Sequence, residues 1–173
     1  FLILNSQFSI LNSKMELTYT INQIEETAKA VGTGAVIFGA LSNNKIKDIV
    51  FSYDKVLTFD GETSVYVQYT CARANSVLQK GGIVTKYELP ELTAEEIELV
   101  KALATFPETV QNAAEKYEPS FVARFAVDVA QKFNKFYFDC KILSAEDEKT
   151  KDFRLHNPYH NYILLFQHVH HIH

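Results

Sequence analysis

The chain has 173 residues, enough for one domain with a sizeable core. With 47% apolar and 22% charged residues, only 6 Gly and only 4 Pro, it is not collagen-like, linker-rich or Pro/Gly-disordered. Seventeen basic against 21 acidic side chains give a net charge of −4, so no global basic field announces a polyanionic partner. Two cysteines, Cys71 and Cys140, make neither a disulfide framework nor a thiolate zinc site and read as reduced structural thiols. No apolar run approaches the ~18 residues of a membrane span, and the N-terminus lacks the basic start and small-residue cleavage pattern of a signal peptide. The expected location is the cytoplasm, with no membrane contact.

In chain order, the first feature is a tandem near-copy: Phe1–Gln7 reads F-L-I-L-N-S-Q and Phe8–Lys14 reads F-S-I-L-N-S-K. Without charged flanks and with Asn-Ser in both copies, it makes a poor heptad. It reads instead as an extension upstream of a start at Met15. Ile21, Ile24, Ala28 and Val31 then form a helical stripe, with Gly32 and Gly34 expected to break it before the apolar run Ala35–Leu41. Ile49, Val50, Phe51 and Tyr53 are too short a run to separate a strand from an apolar anchor. Thr63–Lys80 has helical spacing at Tyr66, Tyr69, Arg73 and Val77, stopped by Gly81-Gly82.

Thr93 and Glu96 form a capping-box pattern ahead of Ile97, Val100 and Leu103. Pro107 and Pro119 stand where a proline opens a helix. The helix from Pro119 is the longest and most regular, with the stripe Phe121, Phe125, Val129, Phe133 and Phe136. Residues 144–151 read as a charged linker. From Asp152 onward there is no clean period, and Pro158 would interrupt any helix there. All six histidines lie between His156 and His173, and this tail reads as adventitiously metal-binding because no carboxylate or cysteine completes a defined site. The fold class expected is all-α, a helical bundle. Charge is uneven along it. Eight acids against two bases run from Glu88 to Glu118, and four bases against two acids from Pro119 to Leu143.

No Gly-rich phosphate loop is readable, and no histidine lies between Met15 and Leu155 to serve a Ser-His-Asp or Cys-His arrangement. No carboxylate pair stands in an apolar context suited to acid–base work. The expected catalytic residues are none, and the expected metal ligands are none. What is present is Tyr66, Tyr69 and Arg73, spaced three and four apart on one helix face. Flat phenol and guanidinium surfaces with hydrogen-bonding tips suit unstacked bases. By spacing alone a buried Tyr–Arg packing cluster is the favoured reading.

Gly61, Thr63, Tyr66, Gln68, Tyr69, Ala72 and Arg73 resemble the pattern G-x-T-G-P-Y-x-Q-Y-x-x-A-R, found where the catalytic and anticodon-binding domains of arginine–tRNA ligases join. G-A-V-I-F-G-A-L-S from Gly34 and D-I-V-F from Asp48 resemble the end of that catalytic domain. E-P-S-F-V-A-R-F from Glu118 and F-N-K-F-Y from Phe133 resemble the long helix of its DALR-type anticodon-binding domain. The likeness runs in family order over roughly residues 20–155. It implies an anticodon pocket lined by Tyr66, Tyr69, Arg73 and Tyr137, where aromatic faces stack on bases and Arg73 supplies base-edge or phosphate hydrogen bonds. Lys132, Lys135 and Lys141 are expected to add phosphate contacts.

The resemblance implies this organisation: an unrelated extension over 1–14, a catalytic-domain remnant over 15–62, the anticodon-binding domain over 63–155, and a His-rich tail over 156–173. The partner implied is tRNA specific for arginine. The parent reaction is ATP-dependent arginylation of tRNA. ATP and Mg are the parent's cofactors, and this chain has none. The adenylate-forming motifs have no counterpart here, so the chain alone is expected to be inactive. Ser64-Val65 replace the family's Gly-Pro, which puts the helix start and the tilt of Tyr66 in question.

The rival readings are a helical protein-interaction module docking on a full-length synthetase, and metal binding by the His-rich tail. The helical domains of cysteine and methionine ligases fit Q-Y-x-x-A-R less well. Past Leu155 the family's apolar final helix has no counterpart. The stripe on the long helix is therefore expected to be incompletely covered and to drive self-association or low-temperature melting.

Overall fold

The structure, a computed structural model, describes residues 21–58, 61–82, 86 and 88–156. The tandem copy over 1–14, the start at Met15 and the histidine tail from 157 onward lie outside the described residues. The described chain is all-α, with no strand among the described residues. Its helices are α1 (Ile21–Leu41), α2 (Tyr53–Val56), α3 (Ser64–Gly81), α4 (Ala94–Ala104), α5 (Phe106–Lys116) and α6 (Ser120–Asp139). Residues 148–156 are also helical and are labelled α7. Helix α6 is the axis: α3, α4 and α5 all pack on it, and α1 packs mainly on α3.

Helix ends follow the local chemistry. Thr93 and Glu96 close a reciprocal capping box at the start of α4, and Pro107 stands in the first turn of α5. Pro119 is the N-cap of α6. Gly82, at φ +81°, ends α3 by returning its amide to the Leu78 carbonyl at 3.0 Å. Thr63 caps α3 by accepting the amide of Tyr66 at 3.2 Å. With Ser64-Val65 in place of Gly-Pro, Tyr66 is thus still tied into the first turn.

Gly32 and Gly34 do not break α1, which runs unbroken through both. The cause at Gly34 is close approach: a Cβ there would lie 2.5 Å from the Gln68 amide nitrogen and 3.0 Å from the Ser64 hydroxyl oxygen of α3. The glycine admits a neighbouring helix. Ile49, Val50 and Phe51 are exposed and belong to no strand; the short α2 follows them.

The stripe on α6 is covered, contrary to the sequence-based expectation. Val129, Phe133 and Phe136 are fully buried and Phe125 nearly so. Leu99 and Ala102 of α4, Val77 of α3, and Ile142 and Leu155 beyond α6 pack on it. Self-association through an uncovered stripe therefore loses its premise. The segment read as a charged linker and aperiodic stretch supplies part of this cover. Asp147 caps α7, accepting the Thr150 amide at 2.8 Å, and α7 carries Phe153 and Leu155 inward. Hydrogen bonds from Thr150 hold the Asp147 carboxyl below the usual carboxylate range. Gly81 makes room for Leu155, whose Cδ2 would lie 2.3 Å from any Cβ at that position.

Two buried carboxylates fasten the connections. Glu96 is fully buried; it accepts the Thr93 amide at 2.7 Å and the Arg154 Nε–H at 2.7 Å. Arg154 also donates through Nη1 to the Lys141 carbonyl at 2.6 Å. Glu118 accepts the Lys45 amide at 3.3 Å and the Ser120 hydroxyl at 3.0 Å, tying the loop after α1 to the start of α6. Cys140 is buried beside Thr93, and burial pushes its thiol pKa up.

Glu96→Ala strands the guanidinium of Arg154, whose side chain is only 11% exposed. The expected loss of stability is about 3–5 kcal/mol, read by urea unfolding. Tyr117, the C-cap of α5, sits in the left-handed region at φ 51° with its side chain in solvent. Tyr117→Gly is expected to raise stability by about 1 kcal/mol in the same assay, because the Cβ penalty goes while little packing is lost.

Candidate nucleic-acid interface

Where α3 crosses α6, the apolar seam becomes polar and aromatic. On α3 the core face is Val67, Thr70, Ala74 and Val77, all buried. Tyr66, Tyr69 and Arg73 lie beside it, half-buried at the rim. From α6 come Asn134, half-buried, and Tyr137, which is 40% exposed.

The Arg73 guanidinium lies over two rings. Its carbon lies 4.6 Å from the centre of Tyr69 and 5.0 Å from the centre of Tyr137. Such contacts stabilise by about 0.5–2 kcal/mol as water is excluded. Arg73 Nη2 also donates to the Tyr69 hydroxyl at 2.8 Å, and Nη1 donates to Asn134 Oδ1. The other end of the Asn134 amide donates to the Tyr66 hydroxyl at 2.9 Å and to Thr70 Oγ1 at 2.8 Å. The four residues expected to line one pocket are therefore brought together, around a fifth that sequence reasoning did not single out. Asn134 stands three positions before Tyr137 on one helix face, and it was inside the quoted F-N-K-F-Y run. That spacing was the available signal.

The lysines are placed differently. Lys132 pairs with Asp128 on its own helix. Lys135 pairs with Glu95 of α4 at 3.5 Å, on the flank facing α4 rather than α3. The exposed Lys141 lends its carbonyl to Arg154. None of the three joins the cluster through a bond described above. Among the described residues no group of three or more His, Cys, Asp or Glu could hold a metal ion, and no helix is long and apolar enough to cross a membrane.

A family match covers residues 67–156, just over half of the chain: the DALR anticodon binding domain. The chain belongs to this family. The matched span of the DALR domain opens within α3 and closes at the end of α7, so it contains Tyr69, Arg73, Asn134 and Tyr137 and starts one residue after Tyr66.

Among its relatives, the arginine–tRNA ligase of Clostridium beijerinckii is 47% identical over 133 residues, 76% of this chain and 24% of that protein. The arginine–tRNA ligase of Halothermothrix orenii is 47% identical over 136 residues, with the same coverage of 76% and 24%. The solved arginyl-tRNA synthetase of Thermus thermophilus matches with a TM-score of 0.77 at 31% identity, over 92% of this chain and 27% of that one. The DALR domain chain thus spans about a quarter of the length of the curated relatives it matches.

Proposed function

We propose that this chain binds tRNA specific for arginine through its anticodon, as the anticodon-binding part of an arginine–tRNA ligase. The observation that carries this reading is the Tyr69–Arg73–Tyr137 cluster, two rings preassembled on one guanidinium, with the Tyr137 ring partly open to solvent. Such a surface offers π faces to splayed bases without having to order itself on binding. The role of the chain is recognition and not bond-making. Arginylation with ATP and Mg belongs to the whole ligase, in the cytoplasm.

Two of the five N–H groups of Arg73 are already committed to Asn134 and Tyr69, so its first role is to hold the cluster together rather than to reach for phosphate. Lys141 is exposed and offers its ammonium to phosphate. Lys132 and Lys135 would have to exchange a carboxylate for it. The domain boundary that fits this reading lies at Thr63, the cap of α3, with the remnant of a catalytic domain before it.

One observation favours a second reading, docking on a ligase-like polypeptide. Val36, Ile37 and Leu41 of α1, with Ile46, Ile49, Val50 and Phe51 after it, leave a broad apolar surface exposed. Relatives four times as long have further chain to lay on such a face. A mobility shift separates the two readings, because only the first requires arginine tRNA to be retained over another tRNA.

Tyr69→Ala and Tyr137→Ala are each expected to weaken binding of arginine tRNA by about 1–3 kcal/mol through lost stacking, read by titration of the full chain. Parent-like binding by both would mean that the rings only pack. The purified chain is expected to show no arginine-dependent exchange of pyrophosphate into ATP, and measurable exchange would contradict a pure recognition role.

A further inference from the structure

We infer that Asn134 is a positioning residue of the base-binding surface: its amide fixes the polarity of the Tyr66 hydroxyl, leaving that hydroxyl as a hydrogen-bond donor to an acceptor on a nucleobase edge. The inference rests on the reading that the Tyr–Arg cluster binds RNA and adds what one of its tips recognises.

The orientation of the Asn134 amide is set from both sides. Arg73 can only donate, so the amide oxygen must face it. Thr70 has one proton, and that proton is spent on the Tyr66 backbone carbonyl at 2.9 Å. Toward Asn134 the Thr70 hydroxyl can therefore only accept, and it meets the amide nitrogen at 2.8 Å. The second proton of that nitrogen goes to the Tyr66 hydroxyl oxygen at 2.9 Å. Both amide protons are now used. The phenol of Tyr66 is held as an acceptor on the inner side, so its own proton is directed to a partner outside the network.

A carbonyl oxygen or an unprotonated ring nitrogen of an unstacked base meets that requirement, whereas an exocyclic amino group does not. Asn134 itself touches no ligand in this scheme. Thr70, fully buried, makes the seam rigid enough for the polarity to persist in the unbound chain.

Asn134→Asp keeps the shape and the acceptor for Arg73 but removes the amide protons. The Tyr66 hydroxyl must then turn inward and donate to the carboxylate. Tyr66→Phe removes the same outward proton directly. With the full chain and the anticodon stem–loop of an arginine tRNA as probe, N134D and Y66F are each expected to bind roughly five- to tenfold more weakly, the size of one neutral hydrogen bond. The double variant should bind no more weakly than Y66F alone.

Non-additivity is the decisive readout, because a general effect of the added negative charge would persist in the Y66F background. Additive losses, or parent-like binding by Y66F or by N134D, overturn the inference while leaving the stacking surface intact. Failure of the parent chain to bind the stem–loop overturns the RNA-binding reading and the inference with it. Thermal melting of each variant separates lost recognition from lost folding. If N134D does not fold, Y66F decides alone: a five- to tenfold loss supports the outward donor, and parent-like binding removes it.

Discussion

One carboxylate with no access to water organises the second half of this molecule. Glu96 accepts the Thr93 amide, which starts α4, and the Arg154 guanidinium, which belongs to a helix more than fifty residues later. A buried carboxylate without such partners would cost several kcal/mol in desolvation, so the chain must bring Arg154 to it. Bringing Arg154 also places its neighbour Leu155 in the α6 core and buries Phe153. The apolar stripe of α6 is closed as a consequence of satisfying a charge. The pair therefore specifies where the chain returns, while burial of Phe133, Phe136 and Leu155 supplies the stabilisation.

The seam between α3 and α6 applies the same logic with neutral groups. A helix crossing built only from alanine and valine would leave the Tyr66, Tyr69 and Tyr137 rings free to choose rotamers. Thr70 and Asn134 replace part of that apolar contact with directional bonds, each satisfied, and the rings inherit fixed positions. The proposed binding surface is thus an extension of the core, and its geometry is as rigid as the packing behind it.

The sequence made most of the helix ends legible, because caps and stops are local. Thr93 with Glu96, Pro107, Pro119 and the Gly81-Gly82 pair all act within a turn or two of themselves. The Tyr66, Tyr69 and Arg73 face was legible for the same reason, and the family resemblance added Tyr137 from another helix. What stayed hidden depends on distant partners. Gly34 reads as a breaker until Gln68 and Ser64 are seen beside it. Residues 148–156 hold only two apolar side chains that become buried, so no period marks them as a helix; the cluster that Leu155 joins draws on α3, α4 and α6. Asn134 bonds residues 61, 64 and 68 positions earlier, which no window along the chain can register. For Lys132 the pairing with Asp128 is a local i, i+4 spacing that the expectation of phosphate contacts did not take into account.

The inward commitment of Arg73 also bears on how the proposed ligand would be met in solution. Nucleic-acid binders that rely on phosphate contacts release condensed counterions, and their affinity falls steeply as salt rises. Here the guanidinium at the centre of the surface is held by Asn134 and two rings, nearby lysines are matched to carboxylates, and the whole chain carries a net charge of −4. Few counterions would be displaced, and little long-range field would steer the encounter. Association would be slow and nearly indifferent to ionic strength, and an unrelated RNA would gain almost nothing from its backbone charge. Selectivity would come from the fit of bases to a hard, uncharged-looking surface rather than from competition among polyanions.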